Sequence, residues 1–185
     1  MAKKKLNLGC GNDIRSGWIN LDSSALPGVD VVHNIERVPL PFTDGMFQEI
    51  LCQDVLEHID YIPVLKDLHR ILEPGGILRI RVPHFTSRNN FVDPTHKKQF
   101  SVSTFSYFTQ NEQDTKSAER QYYFDFHFSR IVSVELTFDR WSRLFLLNRL
   151  VGPIVNRNRR FQMLYEASGW SRLFPAQNIL VSIVK

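Results

Sequence analysis

The sequence predicts an α/β fold, and three observations carry that expectation. Short apolar runs rich in β-formers recur through the first eighty residues, each bounded by Gly, Pro, Asn or Asp. One run with helical periodicity lies between the fourth and fifth of them. The first run ends in Gly9-Cys10-Gly11, a composition suited to a strand that turns tightly at its carboxyl end.

Residues 6–8 (Leu-Asn-Leu) form the first predicted strand and residues 18–21 (Trp-Ile-Asn-Leu) the second. Residues 29–33 and 50–53 supply the third and fourth, and residues 77–82 the fifth, which alternates as Ile-Leu-Arg-Ile-Arg-Val. The helix places Val64, Leu65, Leu68, Ile71 and Leu72 on one face. Pro63 suits its first turn, Asp60 or Tyr61 precedes it, and Glu73-Pro74-Gly75-Gly76 stops it. Only nine residues (9–17) separate the first two strands and seven (22–28) the next two. A parallel crossover takes about a dozen residues or more, usually with a helix. Crossover helices therefore cannot form here beyond a turn, and a parallel sheet would have one face without its normal cover. Residues 85–175, or a second protomer, are expected to cover it.

From residue 83 to about 128 the chain is polar and aromatic, with Ser103 placed to cap a short helix through Phe108 and with residues 110–120 very polar. Residues 131–138 read as a strand, 141–151 as an amphipathic helix and 179–184 as a final strand. The aromatic run from Tyr122 to Phe128 reads as a stacking platform for a sugar or base, or as aromatic cover for the sheet.

The 185 residues are expected to form one domain. With 43% hydrophobic and 23% charged residues the composition is ordinary for a globular chain. No apolar run is long enough for a membrane span, and the basic start leads into an apolar stretch too short for a signal peptide. Cys10 and Cys52 fall in predicted strands and read as reduced core thiols of a cytoplasmic protein. The net charge is +4, and six arginines without an acid lie between Arg140 and Arg160. They mark either an anionic partner or a solvated helix face.

Gly9-Cys10-Gly11 followed by Asp22 at the tip of the neighbouring strand suggests a nucleoside cofactor. Glycines admit the ligand to the backbone, and the carboxylate grips a ribose diol. Asp22 stands 11 residues past Gly11, against about 20 in dinucleotide-binding units. Ile14 occupies the third glycine position, and the helix that would hold a pyrophosphate is missing, so a nicotinamide dinucleotide is disfavoured.

Five blocks occur in a telling order: Leu-Asn-Leu-Gly-Cys-Gly-Asn, Ile-Asn-Leu-Asp, Leu-Pro-Phe-Thr-Asp-Gly-Met-Phe, Asp-Val-Leu-Glu-His-Ile and Leu-Glu-Pro-Gly-Gly-Ile-Leu. Across about residues 5–84 the chain thereby resembles the class I S-adenosylmethionine (SAM) dependent methyltransferases, most of all the small bacterial type 11 members. Asp-Pro-Thr-His and Leu-Phe-Pro-Ala further along look like members found beside glycosyltransferases in surface-polysaccharide clusters.

The resemblance implies a Rossmann-like class I methyltransferase sheet, mostly parallel with one antiparallel strand, its early crossover helices shortened or absent. Residues 1–84 would be the SAM-binding half, and residues 85–128 and 140–175 the acceptor and cover segments. Gly9, Cys10, Gly11 and Asn12 would turn under the methionine part of SAM. Asp22, beside Ser23, would bind the ribose, and Asn34 and Ile35 the adenine. Gln53, Asp54 and Val55 would lie near the sulfonium, with His58 against the cofactor and Asn7 where many members carry Asp. Gln48 also replaces a common Asp.

A sugar hydroxyl gains from a base during methyl transfer. His84, at the end of the fifth strand, and His96 are the candidates, with Asp93 orienting or assisting. The histidine spacings form no metal motif, and no metal requirement is expected. The implied function is SAM-dependent methylation, at oxygen, of a small polar or glycosyl acceptor. The rivals are a non-catalytic partner subunit of the same fold, a nucleic-acid methyltransferase, and a homodimer or peripheral membrane protein, the last suggested by Trp141, Leu144, Phe145 and the arginines. No recognisable nucleic-acid module supports the second.

Overall fold

A computed structural model describes residues 4–110, 121–139 and 148–185. Seven strands form one sheet: β1 (Lys4–Leu8), β2 (Ile19–Asp22), β3 (Val31–Val32), β4 (Phe47–Gln53), β5 (Leu72–Pro83), β6 (Arg130–Phe138) and β7 (Ala176–Val184). Their order across the sheet is β3-β2-β1-β4-β5-β7-β6. Strands β1 to β5 pair in parallel, and β7 runs antiparallel to both β5 and β6. The expected single antiparallel strand is therefore β7.

Helix α1 (Tyr61–Ile71) links β4 to β5 and buries Val64, Leu65, Leu68 and Ile71. No helix interrupts residues 9–46, so the early crossovers are bare loops, as their lengths required. The long loop before β4 is held to α1 by two side chains. The Asp67 carboxylate accepts from Leu40 N at 2.7 Å, and Arg70 donates to the carbonyls of Leu40 and Phe42. β3 keeps only two residues: Val29 N turns away to Leu26 O, while Asp30 N and His33 N, on either flank, still donate to Asn20 O and Asp22 O of β2. β5 starts earlier than its sequence suggests, since Leu72 is already extended and pairs with Phe47, so the Pro-Gly-Gly stop becomes an irregular first stretch of strand.

Strand register sorts the side chains onto two unlike faces. Leu6, Ile50, Leu78 and Ile183 form one row across the sheet, and Leu21, Leu8, Cys52, Ile80 and Val181 the next. All nine are buried. Phe100, Phe105, Phe108, Phe126 and Phe128 join α1 in the cluster over this face. So do Val151 and Val155 of α3 (Asn148–Val155) and Tyr165 of α4 (Arg159–Ala167). The short helices α2 (Asn89–Val92) and α5 (Trp170–Leu173) flank them. Residues 141–147 of the expected 141–151 helix, and the polar stretch 111–120, lie outside the described residues.

The opposite face mixes Lys5, Asn7, Glu49, Gln53, Arg79, Arg81 and Ser182 with the apolar Leu51, Ile77, Leu180 and Val184. Lys5 Nζ lies 2.9 Å from Glu49 Oε2, and Arg79 Nε 2.7 Å from Glu49 Oε1. The side chain of Arg79 is 49% exposed. Described parts of residues 85–175 thus thicken the apolar face and do not cover the bare one, which corrects that half of the expectation; cover by a second protomer stands as a proposal. The long charged side chains of this face lie among its apolar ones, and Leu51 is buried there. Two further expectations change. Ser103 makes no cap, and residues Thr104–Phe108 form a 3₁₀ helix. The aromatic run is cover: Phe124, Phe126 and Phe128 pack with Phe108 and His69, while Tyr122 and Tyr123 stay exposed.

Glu49 gives a test of this mixed face. Burial raises its carboxyl pKa, but hydrogen bonds from Lys5 and Arg79 outweigh that and hold it below its ordinary value. A depressed carboxyl stabilises the fold above its unfolded pKa, about 4.3, and that contribution is lost as pH falls through the lower folded value. Between pH 7 and pH 3 the native protein should lose up to about 1 kcal/mol more stability than Glu49→Gln in urea titrations. Parallel pH profiles would refute this role.

Candidate functional site

The carboxyl ends of β1, β2, β4 and β5 meet at one edge of the sheet, where open α/β sheets bind ligands. β1 leaves the sheet through Gly9 and Gly11, both at positive φ (65° and 49°). A Cβ on Gly9 would lie 2.4 Å from Val55 Cγ2, so the turn can cross the start of the β4 loop only as glycine. A Cβ on Gly11 would meet nothing within 4 Å, and that side of the turn is open.

Asp22 closes the turn from the neighbouring strand. Its Oδ2 accepts from Gly11 N at 2.8 Å and its Oδ1 from Ser24 N at 2.9 Å. A carboxylate accepts about four hydrogen bonds, so lone pairs remain for a diol. Cys10 lies buried within the turn, and Asn12 and Ser23 are exposed beside it. Burial, then Asp22, pushes the Cys10 thiol up, so it stays protonated. Asn34 is exposed and accepts from Glu36 N, while Ile35 is buried next to it. These residues fit a nucleoside: a glycine cradle, a carboxylate with lone pairs to spare for a diol, and a buried apolar residue beyond β3.

Asn7 departs from the expectation. It is buried beneath the turn, and its amide donates to Asp13 O and Asn20 Oδ1, so it braces the β1–β2 loop and does not reach the open side. Gln53 accepts from Arg15 at 3.4 Å on the mixed face. Asp54 has φ 54°, a left-handed conformation that Asp tolerates better than most residues. Arg81 holds its carboxylate through both oxygens, and its backbone N–H donates to Arg81 O at 2.9 Å.

Asp54 also borders a cavity of about 380 Å³ between the ends of β4, β5 and β7, lined by Glu57, His58, Arg81, Asn89, Asp93, His96 and Asn178 among others. A larger cavity of about 910 Å³ lies along β6 and α4, away from the glycine turn. The smaller one is the relevant one because it shares the Asp54–Val55 corner with the cofactor turn.

The cavity is built by a contact that sequence does not show. Glu57 and His58 sit on the 3₁₀ turn Leu56–His58. The loop bearing Asp93 and His96 is pinned over it, with Lys97 N and Lys98 N donating to Glu57 O at 2.7 and 3.1 Å. His58 Nδ1 is 2.8 Å from Thr95 Oγ1, and the His58 and His96 rings stand edge to face at 4.6 Å. His96 Nε2 is 3.8 Å from Asp93 Oδ2. Hydrogen bonds from Thr95 hold the Asp93 carboxyl below its ordinary pKa. Glu57 is 0% exposed, and burial pushes its carboxyl up to about 7.

His84 is a second correction. It is 0% exposed, with Nε2 2.9 Å from Glu166 Oε1 and Nδ1 2.7 Å from Thr86 Oγ1. Both nitrogens are engaged inside the protein, so it ties α4 to the end of β5 and has no route to an acceptor proton. Of the base candidates, His96 and Asp93 line the cavity. His58 stands with them, on the acceptor side of the corner. Sequence reasoning missed Glu57, Arg81 and Asn178 as site residues. The alternating arginines of β5 were the available signal for Arg81.

Comparison with known proteins agrees with this geometry. Residues 5–80 match the family model described as a methyltransferase domain. The structure superposes on a SAM-dependent methyltransferase from Archaeoglobus fulgidus with TM-score 0.59 at 16% identity, covering 99% of this chain and 86% of that one. This chain has the class I SAM-dependent methyltransferase fold. The cofactor that goes with this fold is SAM, and a phosphoethanolamine N-methyltransferase from Haemonchus contortus, solved in complex with SAM, aligns with TM-score 0.51 at 20% identity over 99% of this chain and 48% of that one. In sequence, 67 residues (36% of this chain) are 33% identical to the demethylmenaquinone methyltransferase of Geobacillus stearothermophilus, spanning 28% of that protein. The chain spans about a third or less of the curated relatives it matches.

The two glycines of this methyltransferase fold are separable by experiment. Gly9→Ala should cost about 2–4 kcal/mol in chemical denaturation, from the left-handed backbone and the Val55 clash together. Gly11→Ala should cost about 1 kcal/mol, from the backbone alone. Val55→Ala in the Gly9→Ala background should recover part of the loss. Equal costs at the two positions would overturn the packing argument.

Proposed function

We propose that the protein is a SAM-dependent methyltransferase acting on a small polar or glycosyl acceptor, at oxygen. The observation that carries this reading is the shared corner: Val55 supports the cofactor turn, and Asp54, the next residue, borders the acceptor cavity. Gly9, Gly11 and Asp22 hold the cofactor, with Cys10 and Asn12 completing the turn and Ser23, Asn34 and Ile35 beyond it. Bound SAM supplies an activated methyl group for in-line displacement by the acceptor oxygen. Asp54, Arg81, Asn89, Asp93 and Asn178 offer donors and acceptors that suit a polyhydroxy acceptor better than an apolar one. Positioning accounts for much of such a reaction. A hydroxyl must also give up its proton, and the Glu57, His58 and His96 cluster, with Asp93 behind it, is where we place that event.

A cytoplasmic setting suits the two buried free thiols, Cys10 and Cys52. No helix among the described residues is long and apolar enough to cross a membrane. The shortened sheet cover and Asn7 motivate the rival reading of a non-catalytic partner subunit; Asn7 braces the β1–β2 loop, and the uncovered face mixes charged with apolar side chains. One observation favours a lipid-linked acceptor: α3 to α5 expose Leu150, Ile154, Leu164, Trp170 and Leu173 near Arg149, Arg157, Arg160 and Arg172. Flotation with anionic liposomes distinguishes it from a freely diffusing acceptor. The residues first named for such contact, Trp141, Leu144 and Phe145, lie outside the described residues.

Calorimetry with S-adenosylhomocysteine tests the cofactor half. The native protein should bind, and Asp22→Ala should weaken binding about 100-fold, as expected for loss of a charged acceptor worth about 3 kcal/mol. No binding by folded native protein would sink the proposal. His96→Ala should leave that affinity intact and slow methyl transfer by about 100-fold or more once an acceptor is in hand.

A further inference from the structure

His96, from a loop some forty residues on, joins the neighbours Glu57 and His58 on the wall of the acceptor cavity. One potential ligand atom from each of Glu57, His58 and His96 lies within 4.8 Å of the other two. Glu57 is fully buried, and neither of its carboxylate oxygens has a hydrogen-bond partner. His96 Nδ1 is enclosed and without a partner as well. Enclosed acceptors of this kind call for a positive charge or a donor.

The surroundings prepare the two imidazoles as ligands. Thr95 Oγ1 donates its proton to Asp93 Oδ1 at 2.6 Å. The contact between Thr95 Oγ1 and His58 Nδ1 therefore has the imidazole N–H as donor. That tautomer leaves the His58 Nε2 lone pair free. On the other side Asp93 Oδ2 stands 3.8 Å from His96 Nε2, too far for a hydrogen bond but close enough to favour the proton on Nε2 and the lone pair on the enclosed Nδ1. One carboxylate thus stands behind both rings, directly or through Thr95, as outer-shell carboxylates do behind metal-bound histidines.

We infer that Glu57, His58 and His96 bind one divalent transition-metal ion, of the zinc class, with a further coordination position open to the cavity. Two imidazoles and one carboxylate are a donor set that zinc accepts in reactive sites. Bonds of about 2.1 Å place tetrahedral ligands about 3.4 Å apart, so the loop bearing His96 and the Leu56–His58 turn must close by about an ångström on binding. The inference rests on the acceptor-cavity reading and deepens it: the three side chains would act as ligands and not as bases, and an acceptor hydroxyl at the open position would be more acidic on the metal and release its proton to water.

Metal titration tests this without any acceptor. Chelator-treated protein should bind one Co²⁺ per chain with visible ligand-field absorption, and Zn²⁺ should displace it. His96→Ala and Glu57→Gln should each weaken binding at least about tenfold, with unchanged circular dichroism. His58→Ala is a third arm should Glu57→Gln fail to fold. Absence of stoichiometric binding, or equal binding by native protein and all folded variants, would overturn the site. Calorimetry with S-adenosylhomocysteine on the same samples keeps the two readings apart: metal binding without nucleoside binding upholds the site and removes the cofactor assignment.

Discussion

A sheet of five parallel strands whose described cover elements all lie on one face is the constraint on which the rest of this structure depends. Parallel sheets are normally covered on both sides, and their strands read as near-continuous apolar runs. Here the strands alternate, so that Leu6, Leu8, Ile80 and Val82 are buried in the cluster while Asn7, Arg79 and Arg81 turn the other way. The alternation removes the need for crossover helices. It also forces every cover element, from α1 to the phenylalanines of residues 100–128 and helices α3 and α4, onto a single side.

The same division shapes the site. Arg81 emerges from the mixed face at the end of β5 and holds Asp54, and Asp54 is kept in a left-handed conformation next to Val55. Val55 in turn leaves room only for glycine at position 9. The glycine turn, the strand-end strain and the cavity bordered by Asp54 are therefore one packed corner. A change at any of the three alters the others, since residues in contact do not act additively.

Local features were legible in the sequence. The strands, α1, the glycine turn and Asp22 each follow from short spacings, and the missing crossovers from loop lengths. The ordered blocks added the sheet topology. What sequence could not show were contacts made across long separations. His84 stands at a strand end, where a base belongs, but its fate is decided by Glu166, 82 residues later. Glu57, His58 and His96 show no metal spacing in the chain; the hydrogen bonds from Lys97 and Lys98 to Glu57 O and the contact of His58 with Thr95 bring His96 to the other two. The cover expected for the bare face was misplaced because the mixed character of a whole face depends on register across β1, β4, β5 and β7, which no single strand declares.

The bare crossovers also bear on the entropy of building the sheet. Residues 9–18 and 23–30 are all that lie between β1, β2 and β3. Closing a loop costs about 0.6 kcal/mol more for each doubling of its length, so these ten- and eight-residue links close more cheaply than crossovers of thirty or forty residues. The chain forgoes the apolar burial that helices on a second face would supply, and part of that loss is offset by an unfolded chain that needs less ordering to bring its first three strands side by side.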